Sequence, residues 1–139
     1  MSARLEFPDP HTAADALTFA ARTARLTEDA VRLQAANGVL AMTAAALAPR
    51  GLGDSTPTVL GMRILRIDPE LVCDLVVAAG ALSPDPGDSS AVVLPDVAVT
   101  APWSGVSPPR YGWEAIGRLD LSTLERRGAE GVREVAEAL

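Results

Sequence analysis

No lysine occurs in this chain of 139 residues; all 12 basic residues are arginine. That absence removes Schiff-base chemistry and the phosphate-binding lysine of a P-loop. GC-rich codon usage is the plain origin of such a set, and of the Ala and Pro load. There is one histidine, His11, and one cysteine, Cys73. A lone cysteine forms no internal disulfide, which fits a reducing compartment. The longest uncharged run, residues 33–49, contains Gln34, Asn37, Gly38 and Thr43, so it is too short and too polar to span a bilayer. The N-terminus lacks the apolar stretch of a secretory signal. The expectation is a cytoplasmic protein without membrane association.

Positive charge is also short. Residues 1–67 carry seven Arg against six acids, and residues 68–139 carry five Arg against twelve, for a net charge of −6. Phosphate neutralisation supplies most nucleic-acid affinity, and neither half offers a cationic surplus for it. A nucleic-acid partner is therefore not expected. The hydrophobic content of 48% supports one folded domain over 1–139.

The strongest local pattern runs from Ala30 to Leu47 around Asn37-Gly38. Asn-Gly between alternating segments marks a type I′ hairpin, whose two turn residues both need positive φ. A two-residue loop pairs Ala35 with Leu40, Leu33 with Met42 and Val31 with Ala44, all apolar on one face. The other face receives Arg32 opposite Thr43 and Gln34 opposite Ala41, and a one-residue slip would mix the faces.

Upstream, Asp9-Pro10 offers a helix cap and a first-position proline, and Thr12 with Asp15 resembles a capping box. Leu17, Ala20, Ala21 and Ala24 form the expected apolar stripe. Downstream, residues 58–67 read as a strand with Leu60, Met62 and Ile64 alternating. Residues 68–82 fit either a helix starting at Asp68-Pro69-Glu70 or a strand through Leu71, Cys73, Leu75 and Val77; Val72, Val76 and Val77 favour a strand to about Val77 followed by a helical turn. Residues 83–90 read as a turn-rich loop, 92–101 as an edge or bulged strand containing Pro95, and 113–119 as another strand. Ser122 with Glu125 forms a capping box for a final helix whose apolar face is Leu124, Val132, Val135, Ala136 and Leu139. That face either docks on the sheet or belongs to a chain that continues. The sum is an α+β two-layer sandwich: N-terminal helix, five- to six-stranded antiparallel meander, C-terminal helix.

The residues permit little catalysis. Gly-Asp-Ser occurs at 53–55 and 87–89, yet a hydrolase triad needs a base, and the C-terminal Asp-x-x-His block of Gly-Asp-Ser esterases is missing. Both tripeptides read as turns. His11 has no metal-ligand neighbour at suitable spacing, and Cys73 reads as an inert strand cysteine. Gly51-Leu-Gly53 lacks the third glycine and the following helix of a dinucleotide loop. No catalytic residue, cofactor or metal is expected, and the reading leans against an enzyme.

Both tryptophans and the only tyrosine fall within Trp103-Ser-Gly-Val-Ser-Pro-Pro-Arg-Tyr-Gly-Trp113. Aromatics and arginine dominate binding hot spots, so Trp103, Arg110, Tyr111 and Trp113 are the candidate ligand- or partner-binding residues. Pro108-Pro109 should stiffen this segment into an arch at one end of the sheet. The bland reading is that these aromatics simply complete a core poor in large side chains.

The run from Ala101 to Trp113, with Val31-Arg-Leu-Gln and Phe19-Ala-Ala-Arg22 upstream, resembles an uncharacterised family of actinobacterial hypothetical proteins. The resemblance covers most of the chain and implies a cytosolic bacterial protein with no assigned activity. The functional expectation is a non-enzymatic interaction or assembly module using residues 103–113, with a protein partner or self-association through an open sheet face or edge. The alternative is a small-ligand-binding protein or enzyme with a pocket beneath the 103–113 arch.

Overall fold

Asn37 and Gly38 have φ of 54° and 78°, as a type I′ turn requires. In the computed structural model, which describes residues 3–106, 108–109 and 111–139, this turn joins β2 (Ala30–Ala36) to β3 (Val39–Leu47). The register is the one read from the sequence: Leu33 lies opposite Met42, Ala35 opposite Leu40, and Arg32 opposite Thr43. A Cβ added at Gly38 would meet the Ile67 carbonyl oxygen at 3.7 Å, an ordinary contact. Gly38→Val should therefore destabilise through its dihedral angles alone, by about 1 kcal/mol or more in urea denaturation. Unchanged stability would mean that the turn relaxes to negative φ.

Contacts gather the chain into two units, residues 1–107 and 108–139. In the first, β1 (Arg4–Glu6) and α1 (Pro10–Thr23) precede the hairpin, and β4 (Val59–Arg66), β5 (Cys73–Ala78), β6 (Ser83–Asp85) and β7 (Asp88–Val93) follow it. The α+β class holds, with a strand arrangement different from one meander. Two antiparallel sheets form, ordered β4-β3-β2-β5 and β1-β7-β6. The meander stops at β4, and β5 crosses back to pair with β2.

Asp9 caps α1, its carboxylate accepting from the Thr12 backbone N–H at 2.7 Å, with Pro10 at the first helical position. Thr12 belongs to this cap, donating its hydroxyl to Asp9, while Asp15 pairs with Arg63. The Thr12–Asp15 capping box is thus corrected. The buried stripe of α1 is Ala13, Ala16, Ala20 and Thr23, with Leu17 at its margin and Ala21 exposed. Three alanines bring the helix backbone close to the sheet, which a stripe through Leu17 and Ala24 would prevent. This face joins one core with Leu33, Leu40, Met42, Leu65 and Val77 of the larger sheet and Leu5 and Val92 of the smaller.

Three further expectations change. Residues 83–90 form the β6–β7 hairpin rather than a loop, with Pro84 on a short edge strand where its missing N–H costs no ladder bond. The expected strand over 92–101 ends at Val93, and residues 113–119 form no strand, because the alternation there meets no pairing partner. β5 followed by a 3₁₀ turn at Ala79–Ala81 is as read.

The second unit holds α2 (Leu121–Ala138). Its N-cap is Asp120, whose carboxylate accepts from the Ser122 and Thr123 hydroxyls, so the Ser122–Glu125 capping box is also corrected. Leu121, Leu124, Val132 and Val135 are exposed. Among the described residues, no helix is long and apolar enough to cross a membrane.

Candidate functional site

The larger sheet has two faces, and α1 covers only one. On the other, alternation places Arg32 and Gln34 of β2, Ala41, Thr43 and Ala45 of β3, Leu60, Met62 and Ile64 of β4, and Val76 of β5. One end of this face is crossed by the chain after β7. There the Val99 N–H donates to the Val76 carbonyl at 2.9 Å, and a 3₁₀ turn at Pro102–Gly105 lowers Trp103 onto the sheet. The indole packs with Ala30, Ala45 and Ala101, flanked by Leu60 and Val76, and Trp103 is 4% exposed. Small residues on three sides make room for the one large group.

Arg32 clamps this strap. Its Nη1 donates to the Ser104 carbonyl at 2.7 Å, while Nε and Nη2 grip the Asp74 carboxylate at 3.0 and 2.9 Å. The fork geometry of guanidinium suits this double contact. The alternation placed Arg32 on the outer face correctly. Its partners lie 42 and 72 residues away, and no local signal points to them.

Beside Trp103 lies an open groove of about 370 Å³, lined by Glu28, Arg50, Thr58, Pro102, Trp103 and Val106. A second groove of about 300 Å³ shares Glu28 and Arg50 and reaches Asp54 and Thr56. Two buried polar atoms, Trp103 Nε1 and Thr43 Oγ1, have no hydrogen-bond partner among the described residues.

Asp54 organises the loop along the second groove. It accepts from the Arg50 backbone N–H at 2.8 Å and from the Thr56 backbone N–H at 2.9 Å, and also from the Thr56 hydroxyl. The Thr56 hydroxyl, then these two amides, hold its carboxyl down to about 2. A carboxylate so occupied is a poor general base. Its folded pKa lies below the unfolded value of about 3.9, so its contribution is complete above about pH 4 and lost as pH falls towards 2. Amide chemical shifts of Arg50 and Thr56 should move together in that window, and Asp54→Asn should abolish the transition. Shifts that titrate instead at pH 5 or above would refute this.

Of the second Gly-Asp-Ser only Gly87 lies in the turn; Asp88 and Ser89 open β7, and Asp88 accepts from the Ser90 backbone N–H at 2.9 Å. Cys73 is half-buried, and burial pushes its thiol up, away from the reactive thiolate. His11 is exposed in the first turn of α1. Among the described residues, no three His, Cys, Asp or Glu side chains gather as metal ligands.

Trp103 belongs to the first unit, and Tyr111 and Trp113 to the second. Tyr111 and Trp113 are both exposed, Trp113 at 71%, and its indole N–H donates to the Pro109 carbonyl at 2.6 Å. Arg110 lies outside the described residues.

One surface went unmarked in the sequence reading. Leu65 and Ile67 face the core, which turns Met62 (42% exposed) and Ile64 (55%) outward on the uncovered face, with Val59 also exposed. Both faces of residues 59–67 carry large apolar side chains, Leu65 and Ile67 on one and Met62 and Ile64 on the other, and that doubled pattern was the available signal. Among the described residues β4 is moreover an edge strand, paired only with β3.

No curated protein and no solved structure matches the chain. A family model matches residues 1–105, nearly the whole first unit with both sheets, α1 and Trp103. On that span, the chain belongs to the family described as a domain of unknown function, DUF8010.

Proposed function

We propose that this chain is a non-enzymatic, cytosolic interaction module whose contact surface is the β4 edge and the apolar face beside it. The observation that carries the reading is the pairing of an unsatisfied strand edge with exposed Met62 and Ile64 on the same strand. A long edge strand templates pairing with another chain unless it is charged, short or covered, and of the two charges on β4 Arg63 is paired with Asp15 and Arg66 stands at the strand's end. Edge pairing supplies main-chain hydrogen bonds, and alternate side chains supply selectivity. Asp54 and Asp88 each accept from nearby backbone N–H groups, and the half-buried Cys73 thiol is pushed up by burial, which supports the non-enzymatic part.

A photo-reactive amino acid at position 62 tests this in the producing cells, with position 21 on exposed α1 surface as the control. A discrete cross-linked adduct from 62 alone is expected; none above the control would overturn the reading.

The groove beside Trp103, with an indole N–H that has no partner among the described residues, favours small-ligand binding as the second reading. With Trp113→Phe leaving Trp103 as the only indole, saturable fluorescence changes with a metabolite extract would support it.

A further inference from the structure

We infer that the partner at this edge is a second copy of the chain, with β4 pairing antiparallel to β4 about a two-fold axis through Met62. This rests on the interaction reading above and adds the identity and register of the partner.

The first argument is closure. The larger sheet has two edges, β4 and β5. At β5, the Val99 N–H already donates to the Val76 carbonyl. At β4, no backbone hydrogen bond from another segment reaches the outer side among the described residues. The smaller sheet is edged by three-residue strands, β1 and β6. The eight-residue β4 edge, whose outer side carries no such bond among the described residues, gives a closed dimer rather than a growing fibre when joined to itself by a two-fold axis.

The second argument is register. Side chains alternate, so only registers that keep like faces together are allowed. A two-fold axis at Met62 places Leu60 opposite Ile64 of the second copy, Ile64 opposite Leu60, and Met62 opposite Met62. Exposed Met62 and Ile64 are then covered, Ile64 by the half-buried Leu60 of the second copy. On the other face Arg63 falls opposite Gly61, which has open space where a side chain would stand. Arg66 falls opposite Thr58, and Arg63 keeps its pairing with Asp15 at 2.6 Å on its own helix. An axis at Arg63 would instead stack Arg63 on Arg63, and like charges directly opposite are destabilising. An axis at Gly61 would leave Ile64 opposite Thr58 and shorten the paired stretch. Charge separation and apolar matching select the same register.

Sedimentation equilibrium of the full chain over a wide concentration range should give a reversible monomer–dimer equilibrium. Ile64→Arg, at an exposed position, should weaken it at least tenfold, with an unchanged melting curve at concentrations where both proteins are monomeric. The register is read separately by introduced thiols in a Cys73→Ser background. Met62→Cys should form an intermolecular disulfide under mild oxidation, since directly opposed positions bring Cα atoms within bridging range. Ile64→Cys alone should not, and an equimolar mixture of Ile64→Cys with Leu60→Cys should. A dimer that survives Ile64→Arg, or one that bridges through Ile64→Cys alone, would overturn the inference. A monomer at every concentration, together with a position-62 adduct carrying a different protein, would sink the self-pairing while leaving the interaction reading in place. A monomer with no adduct would remove both.

Discussion

Trp103→Ala should lower the unfolding free energy of the full chain by about 3–5 kcal/mol in urea denaturation, whereas Trp113→Ala should shift it by about 0.5 kcal/mol or less. The two indoles are ten positions apart in the sequence and differ in burial by 4% against 71% exposed. Trp103 closes a small second core in which every fully buried neighbour is alanine, namely Ala30, Ala45 and Ala101. Alanines have no rotamers with which to fill the space an indole vacates, so the cavity term persists. One effect acts the other way: the indole N–H has no partner among the described residues, and removing an unsatisfied buried donor returns about 1–3 kcal/mol. The net loss therefore belongs at the lower end of the range, and Trp103→Phe should cost much less than Trp103→Ala. A loss below about 1 kcal/mol for Trp103→Ala would mean that the strap does not hold the indole against the sheet.

Leu33→Ala should cost about 2–5 kcal/mol, towards the upper part of that range. Leu33 is fully buried in β2, with Met42 on one side and Leu75 on the other. The helix over this face offers Ala13, Ala16 and Ala20. A helix already at close approach cannot settle further to fill the hole, so relaxation recovers little. The same substitution at exposed Ile64 should cost within about 0.5 kcal/mol. Equal costs at the two positions would show that the covered and uncovered faces had been assigned the wrong way round.

Several local elements were legible because the information that fixes them is close in sequence. The β2–β3 register follows from a two-residue turn and from alternation on either side of it, and a slip would have exposed Leu33 and Met42. The Asp9-Pro10 helix start follows from one side chain reaching an amide three residues on. The Cys73–Ala78 strand and the turn after it follow from β-branched residues ending at alanine and glycine.

Other features were hidden for reasons equally physical. Ser83-Pro-Asp-Pro-Gly-Asp has turn composition throughout, and it becomes a hairpin because β7 is anchored on its far side by β1, with Leu5 opposite Val92. That pairing joins residues from opposite ends of the first unit, and a three-residue strand carries too little pattern to announce it. The stripe on α1 was misplaced because alanine reads as apolar on any side of a helix; the sheet beneath selected Ala13, Ala16 and Ala20. Of the candidate site residues, Trp103 could be named from composition, but composition does not say whether an indole is buried or presented.

The sequence by itself determined the α+β class, the hairpin and its register, the absence of lysine, and the presence of a single histidine and a single cysteine. These follow from residue types and from spacings shorter than one element. Only the tertiary structure decided which side of the four-stranded sheet α1 covers, that Arg32 reaches Asp74 and Ser104 to hold Trp103 down, and that Met62 and Ile64 stand uncovered on an edge strand. Residues 58–67 carry large apolar side chains on both faces, so their pattern is satisfied by either orientation. The choice between them was made by packing against α1 and by the order of the strands, neither of which any stretch of ten residues contains.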